Sequence, residues 1–462
     1  MGGRVGQASR REQGSTVVRV GIATVVIAVL LALRSSDPGA QHLERTGRPA
    51  ATGNTHALFP LQPSRVGRCL TDAQGTPFLV HGDAAWSLLV GLGENEADEY
   101  LRDRKGRGFN TLIVNLIEHK FAPKAPLNAY GERPFLSNGF SAPNERYFAR
   151  VDRVLSRAAD YGFLVLLAPA YLGYEGGEEG WYVDMQRAGT DELRQYGRFL
   201  GARYRGWKNI IWLHGGDYRP PDLDLVTAVV EGIREKAPGA LHSYHGARGS
   251  AARLATSGAS WLFLNNVYTD EHSVVAAVST EYEASSMPFI LVEAQYEDQG
   301  ADETIVRSQS YQAVLAGSCG QVFGNKHVWQ FDASWRRALD SPGARSMTQM
   351  RDILERLEWW KMHPAHGLIL SGLGTRGSRA AALLSGDRKR AVVFVPSART
   401  LHLDLGLMHG TNVAAEWIDP VSLGRTAPTM VLPLHARRQP FHTPGQNHGG
   451  SGDWLLVLSS GS

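Results

Sequence analysis

Short, largely apolar runs recur along the chain, with polar and helix-like segments between them. Eight of them fall at residues 77–81, 111–117, 163–168, 209–213, 241–245, 261–264, 289–292 and 320–323. Runs of this length without strict alternation read as strands buried on both faces, as in a parallel sheet. Helical stretches are predicted near 95–105, 145–161 and 223–236 and, after the eighth run, near 346–360. Parallel neighbours need crossover connections, so eight alternations predict a (β/α)8 barrel of the α/β class. An open, doubly wound sheet is the rival. It would usually carry a glycine-rich phosphate loop after its first strand, and Gly82-Asp-Ala-Ala-Trp86 is not one. From about residue 367 the texture changes to short runs at 380–384, 391–395, 401–405, 413–417, 430–434 and 454–458, separated by Gly, Pro and Asp. That pattern predicts a small antiparallel β-sandwich over 367–462, following a barrel over 55–366.

The first residues have a different character. Arg4, Arg10, Arg11 and Arg19 precede an apolar run over 20–33 that ends at Arg34. A basic segment followed by such a run is a secretory signal pattern, and residues 1–34 are read as a signal peptide or an uncleaved signal anchor. Either one exports the rest of the chain and the second tethers it to a membrane. Residues 35–54 are polar and rich in Gly, Ala and Pro, the composition of a flexible linker. Composition narrows the picture little further. There are 48 Lys and Arg against 45 Asp and Glu, a formal charge of +3, with the cations scattered, so nothing favours nucleic acid as a partner. The two cysteines, Cys69 and Cys319, exclude a disulfide scaffold or a cysteine-rich metal site. Both fall just before neighbouring strands of the predicted barrel, where a disulfide and two buried thiols are equally open.

Chemistry gathers at the strand ends. His81, Asp83, Trp86, Asn115, His214, Asp217, His245, Asn266, Tyr268, Glu293, Tyr296, Asn325 and Trp329 all lie at or just past the C-terminal ends of the predicted strands, the face on which such barrels keep their active sites. Carboxylates among tryptophan and tyrosine faces suit a sugar, because aromatic platforms stack on ring C–H groups while the acids move protons. Asp217 and Glu293, ending the fourth and seventh runs, are the expected general acid/base and nucleophile pair; the other eleven residues are expected to bind substrate. Gly215 and Gly216 allow close backbone approach to a ligand, and the aromatic, glycine-rich stretch 171–181 is expected to form a substrate-facing wall. Glu118 and Glu297, one step beyond, are expected to be solvated or structural. A metal-dependent barrel would want two histidines one residue apart on the first strand, and His81-Gly-Asp83 breaks that pattern, so no metal or other cofactor is expected. A serine hydrolase lacks its nucleophile-elbow motif.

With those stretches in view the chain resembles the apiosidase-like family of glycoside hydrolases, whose catalytic barrel is followed by a β-sandwich carrying a collagen-binding label. The resemblance rests on Phe78-Leu-Val-His-Gly-Asp-Ala-Ala-Trp86, Gly108-Phe-Asn-Thr111, Trp212-Leu-His-Gly-Gly-Asp217 and Leu291-Val-Glu-Ala-Gln-Tyr-Glu297. In the C-terminal part it rests on Ala391-Val-Val-Phe-Val-Pro396, Trp417-Ile-Asp-Pro420 and Asp453-Trp-Leu-Leu-Val457. It implies a retaining glycosidase with Asp217 as acid/base and Glu293 as nucleophile, acting on a cell-wall or plant glycan and releasing a furanose such as apiose or arabinose. Related retaining barrels often place Asn-Glu where this chain has Gly216-Asp217. The competing expectation is a glycan-binding or adhesive surface protein built on an inactive barrel.

Overall fold

The eight apolar runs become eight parallel strands in the computed structural model, which describes residues 57–65, 68–426, 430–433 and 437–461. They are β1 (Val80–Ala84), β2 (Thr111–Asn115), β3 (Leu164–Ala168), β4 (Ile210–Gly215), β5 (Leu241–His245), β6 (Leu262–Tyr268), β7 (Phe289–Glu293) and β8 (Gly320–Phe323). Neighbours pair in sequence order and β8 returns to β1, so the sheet closes as a barrel. Closure leaves no core strand with an open edge. Nearly every strand residue is buried, because side chains fill the barrel on one face and meet the helices on the other. The helices that connect one strand to the next or follow the last are α1 (Glu94–Gly106), α2 (Glu145–Asp160), α3 (Tyr182–Tyr204), α4 (Asp224–Lys236), the single turn α5 (Ala252–Ala255), α6 (Val274–Ala284), α7 (Glu303–Leu315) and α8 (Pro342–Arg356), with further single turns at Leu88–Gly91, Lys326–Trp329 and Trp335–Ala338.

Several boundaries differ from the sequence expectation: the second strand ends at Asn115, the sixth runs on to Tyr268, and Met362–Pro364, ahead of residue 367, already pairs with Leu383–Ser385 of the C-terminal sheet. Two further shifts have a local reason. Pro77–Phe78 does not start β1; it pairs with Leu70–Thr71, which pairs with Gln62–Pro63 in a separate antiparallel ribbon. The first strand therefore begins three residues later than expected and takes Asp83 into the sheet. Helix α8 starts at Pro342 rather than near residue 346, since Ser341 accepts from the Ala344 N–H and proline sits in the first turn.

Beyond the barrel, nine strands among the described residues form two antiparallel sheets. Six of them, β9 (Met362–Pro364), β11 (Ala381–Ser385), β12 (Arg390–Val395), β14 (Asn412–Ile418), β15 (Met430–Pro433) and β17 (Trp454–Ser460), lie in the order β9-β11-β12-β17-β14-β15. The other three, β10 (Ile369–Ser371), β13 (Thr400–Leu403) and β16 (Gln439–His442), form the second sheet, and Val393, Leu401 and Leu456 belong to the core between the two. This β-domain packs on α7. Arg307 of that helix is fully buried and grips Asp453 with two bonds, Nε to Oδ2 at 2.7 Å and Nη2 to Oδ1 at 2.9 Å. Ser346 and Ser451 accept two further guanidinium protons, Asn447 donates to Asp453, and Tyr311 stacks on Phe394 at 4.8 Å. Cys69 and Cys319 are both buried and unbridged. Among the described residues no helix is long and apolar enough to cross a membrane, and the segments read as signal and linker (1–34 and 35–54) lie outside the described residues.

The barrel also buries three histidines in the layer between strands and helices. His81 stacks on Phe109 at 4.9 Å, and His214 and His242 face each other with Nε2 and Nδ1 2.9 Å apart. Burial pushes His81 and His242 down to about 3 and His214 well below the ordinary imidazole range. The unfolded chain therefore binds protons that the folded one refuses. Stability is complete above pH 6.5 and falls as pH drops toward 3, by up to about 1.4 kcal/mol per pH unit for each histidine. Urea midpoints are expected to fall already between pH 6.5 and 5, before carboxylates titrate; a flat midpoint over that interval would contradict this account. Asp453→Ala strands the Arg307 guanidinium in the domain interface and is expected to cost about 3–5 kcal/mol, seen as a lowered Tm.

Candidate active site

Strands β4, β5 and β7 each end in one side chain of a compact cluster. Glu293 closes β7, His245 closes β5, and Asp217 stands two residues past the end of β4. One oxygen or nitrogen of each lies within 4.8 Å of the others. The approach at Asp217 needs the glycines before it. Gly215, Gly216 and Asp217 all have positive φ (87°, 129° and 34°), and a Cβ at Gly216 would stand 2.2 Å from the Tyr171 ring. Only glycine passes between that ring and the His245 carbonyl, which would lie 2.2 Å from a Cβ at Gly215. A non-glycine residue held at φ 34° is a strained conformation of the sort found at functional sites.

The carboxylates have different partners. Tyr171 donates its hydroxyl proton to Asp217 Oδ2 at 3.0 Å, while Oδ1 is buried with no hydrogen bond. Glu293 Oε2 meets His245 Nε2 at 3.0 Å. The other imidazole nitrogen, Nδ1, donates to the Gly246 carbonyl at 3.1 Å and lies 3.7 Å from Asp217 Oδ1. Burial, with the Asp217 charge adding to it, raises the Glu293 pKa, and the His245 hydrogen bond pulls it back. Desolvation disfavours a charged His245, but its bond to Glu293 and the Asp217 charge outweigh that and leave its pKa raised. Both imidazole nitrogens thus face acceptors. Nδ1 is spent as a donor to the Gly246 carbonyl, while Nε2, beside Glu293, holds a proton when the ring is charged and offers a lone pair when it is not; the three residues lie close enough together to ligate a cation.

Above the cluster opens a cleft of about 610 Å³. Trp86, Tyr268, Tyr296 and Trp329 line it as expected, joined by Phe121, Tyr171, Tyr174, Glu179, Arg248 and Gln299 from the loops. Trp86 Nε1 donates to the Tyr296 hydroxyl at 3.0 Å, and Trp329 Nε1 donates to Gln299 Oε1 at 2.9 Å. A register shift in β6 between Val267 and Tyr268 sets Tyr268 opposite Glu293, and Arg248 donates to the Tyr268 hydroxyl at 3.2–3.3 Å. The stretch 171–181 does supply part of the wall; Phe121, Arg248 and Gln299 had no signal beyond their place in loops after strands.

The other expected substrate contacts are not among the residues lining the cleft. His81 belongs to the strand–helix layer, and Asp83, on the same face of β1, is fully buried against Arg104 Nε and the Tyr100 hydroxyl, each at 2.6 Å. His214 is tied to His242. Asn115 donates to Glu118, Asn266 to Ser243, and Asn325 to Glu297 while its carbonyl caps the next turn at the His327 N–H. Glu118 and Glu297 are themselves buried and hydrogen-bonded, so they are structural and not solvated.

A closed barrel with paired acids in an aromatic cleft is the architecture of a glycoside hydrolase. The chain belongs to the family described as "Apiosidase-like, catalytic domain", whose model matches residues 64–361; the model described as "Putative collagen-binding domain of a collagenase" matches 363–459. Among solved structures, a glycoside hydrolase family 5 protein from Bacteroides vulgatus ATCC 8482 is similar at 22% identity and a TM-score of 0.76, over 88% of this chain and 94% of that one. Another, titled only as a glycoside hydrolase, is also 22% identical, with a TM-score of 0.74 over 87% and 96% of the two chains. These likenesses show the fold. No curated protein matches the chain.

Replacing His245 by Phe keeps a ring against Trp86 and Tyr268 but removes the bond that holds Glu293 down. The carboxyl then rises further, so the acidic limb of kcat/KM is expected to move to higher pH by about one unit. An unmoved limb would show that His245 does not set the charge of Glu293.

Proposed function

We propose that this glycoside hydrolase works by double displacement with retention, Glu293 as nucleophile and Asp217 as acid/base. The observation that carries the reading is the carboxylate pair with its bridging imidazole within 4.8 Å. Retaining enzymes hold their carboxyl groups about 5–5.5 Å apart, whereas inverting ones leave room for a water between them. In the first step the Glu293 carboxylate attacks the anomeric carbon, the glycosidic C–O bond breaks, and the leaving oxygen takes a proton from Asp217. In the second, water gives its proton to Asp217 as its oxygen displaces Glu293. The Tyr171 hydroxyl, donating to Oδ2 of Asp217, fixes the orientation of that carboxyl group at the mouth. The His245 hydrogen bond favours the ionised form of Glu293 that attack requires, against the burial that raises its pKa.

The substrate is proposed to be a cell-wall or plant polysaccharide carrying a furanose such as apiose or arabinose, a choice supported by the family the chain belongs to. Aromatic faces at Trp86, Tyr268, Tyr296 and Trp329 suit sugar rings. Export is part of the proposal, supported by the basic and apolar pattern of residues 4–34, as a secreted, periplasmic or surface protein.

The test is hydrolysis of a panel of aryl glycosides, furanosides included, with the anomer released followed by NMR. Glu293→Gln is expected to lower turnover by at least about a thousandfold. Asp217→Asn should lose most on substrates with poor leaving groups, whose departure needs the proton. Turnover indifferent to Glu293→Gln, or release of the inverted anomer, would sink the mechanism.

A further inference from the structure

The loop after β3 carries one ring that the fold does not use. Tyr174 lines the cleft and is 65% exposed. Other rings of that wall pack on one another: Tyr171 tilts against Trp86 at 5.8 Å and against Phe121 at 5.4 Å, and Phe121 meets Trp329 edge-on at 5.1 Å between centroids. A single exposed ring is ordinary on a protein surface, so exposure alone decides nothing. What decides is how the ring is held and what it stands beside.

The backbone on both sides of Tyr174 is pinned. The Trp181 N–H donates to the Tyr171 carbonyl at 2.8 Å and closes the loop at its base. The Gly177 N–H donates to the Tyr174 carbonyl at 2.9 Å, and the Tyr174 N–H donates to a Glu179 carboxylate oxygen. A Cβ at Gly180 would stand 2.1 Å from the Gly173 nitrogen, so the two arms of the loop touch. The same loop is tied twice to Asp217: the Glu175 N–H donates to its backbone carbonyl at 3.2 Å, and the Tyr171 hydroxyl to its carboxylate. Glu293 has other neighbours, His245 on its carboxylate and Tyr268 opposite it in register. In a displacement at the anomeric carbon the nucleophile meets the sugar that is transferred, while the acid/base protonates the oxygen that departs. A ring presented by the loop that embraces Asp217 therefore stands on the departing side, and its free face suits the C–H face of a sugar.

We infer that Tyr174 is the platform for the first sugar of the leaving group. The inference rests on the glycosidase reading above and deepens it: the bond that is cut joins two sugar units, and the enzyme selects the unit that leaves as well as the unit it transfers.

For the test, the sugar that the aryl panel releases fastest is offered in two forms. One is its glycosyl fluoride, whose leaving group has no ring; the other is a plant cell-wall oligosaccharide that carries the same sugar. Tyr174 is part of the cleft wall, so the readout is the ratio of the two kcat/KM values and neither value alone. Tyr174→Ala should lower the oligosaccharide-to-fluoride ratio roughly tenfold, chiefly through KM, and Tyr174→Phe, which keeps the ring, should restore it. The freed leaving saccharide, added back to the fluoride assay, should inhibit with a constant about tenfold weaker in Tyr174→Ala. That binding moves no proton, so a variant that had only displaced Asp217 would leave it unchanged. A ratio or an inhibition constant unmoved by Tyr174→Ala, or a Tyr174→Phe as poor as the alanine variant, would overturn the platform. Release of the inverted anomer counts against the retaining mechanism alone, and the ratio still decides the platform. If nothing is turned over, titration calorimetry with plant cell-wall oligosaccharides decides it. Binding weakened about tenfold by Tyr174→Ala and kept by Tyr174→Phe supports the platform, and binding that is unaffected or absent rejects it.

Discussion

Two carboxyl groups held within 4.8 Å of each other in a partly dry cleft set the terms for everything around them. With both ionised, at about 5 Å and an effective dielectric near 20, their repulsion would be about 3 kcal/mol. The compensating group is His245, nearly inaccessible to solvent, wedged with one nitrogen toward each carboxylate. That wedge works only if three strands separated in sequence by tens of residues end at one level. Barrel closure provides this, because the register of β4 against β5 and of β6 against β7 fixes where each strand stops. Tyr171 and the paired glycines then set how far Asp217 leans over the mouth. The protein thus uses fold rigidity to hold an arrangement that electrostatics alone would push apart.

Much of this was legible in the sequence. The strands were, because a run of five apolar residues buried on both faces has few alternatives, and the C-terminal strand ends marked Asp217, His245 and Glu293, which do converge. Six other strand-end residues do not reach the cleft, and two-sided burial explains several of them. A strand that alternates apolar and polar announces which face is wet; one buried on both faces does not, and a one-residue change of parity sends the side chain to the helix layer. His81 and Asp83 on β1 and His214 on β4 went that way. Asp83 shows the difficulty best: a carboxylate beside Trp86 looks catalytic until Arg104, from α1, is known to lie 2.6 Å away. Helix α7 escaped notice for a related reason. Ten consecutive residues of it are buried, Ser308, Gln309, Ser310 and Gln312 among them, because the β-domain covers the side that would otherwise be solvated, so it shows no amphipathic stripe. Phe121, Arg248 and Gln299 lie in loops, where position along the chain does not predict position in space.

The β-domain contributes none of the described residues that line the cleft, yet it is not an appendage. Its Asp453 neutralises a barrel arginine, its Phe394 stacks on a barrel tyrosine, and Gln312 of α7 donates to the Gly377 and Arg379 carbonyls. The barrel's outer ring is therefore finished by the second domain at one helix.

That junction has a consequence for how such a protein changes over evolutionary time. Modular enzymes commonly trade binding domains by recombination at linkers, since the pieces fold apart. Here α7 places a buried guanidinium and buried amides where the neighbour must supply the counter-charge and the acceptors. A graft with no acid at the place of Asp453 would leave that cation stranded. The two halves are accordingly tied in stability, and the border that composition marks near residue 367 is a change of architecture without being a seam along which the molecule can be cut.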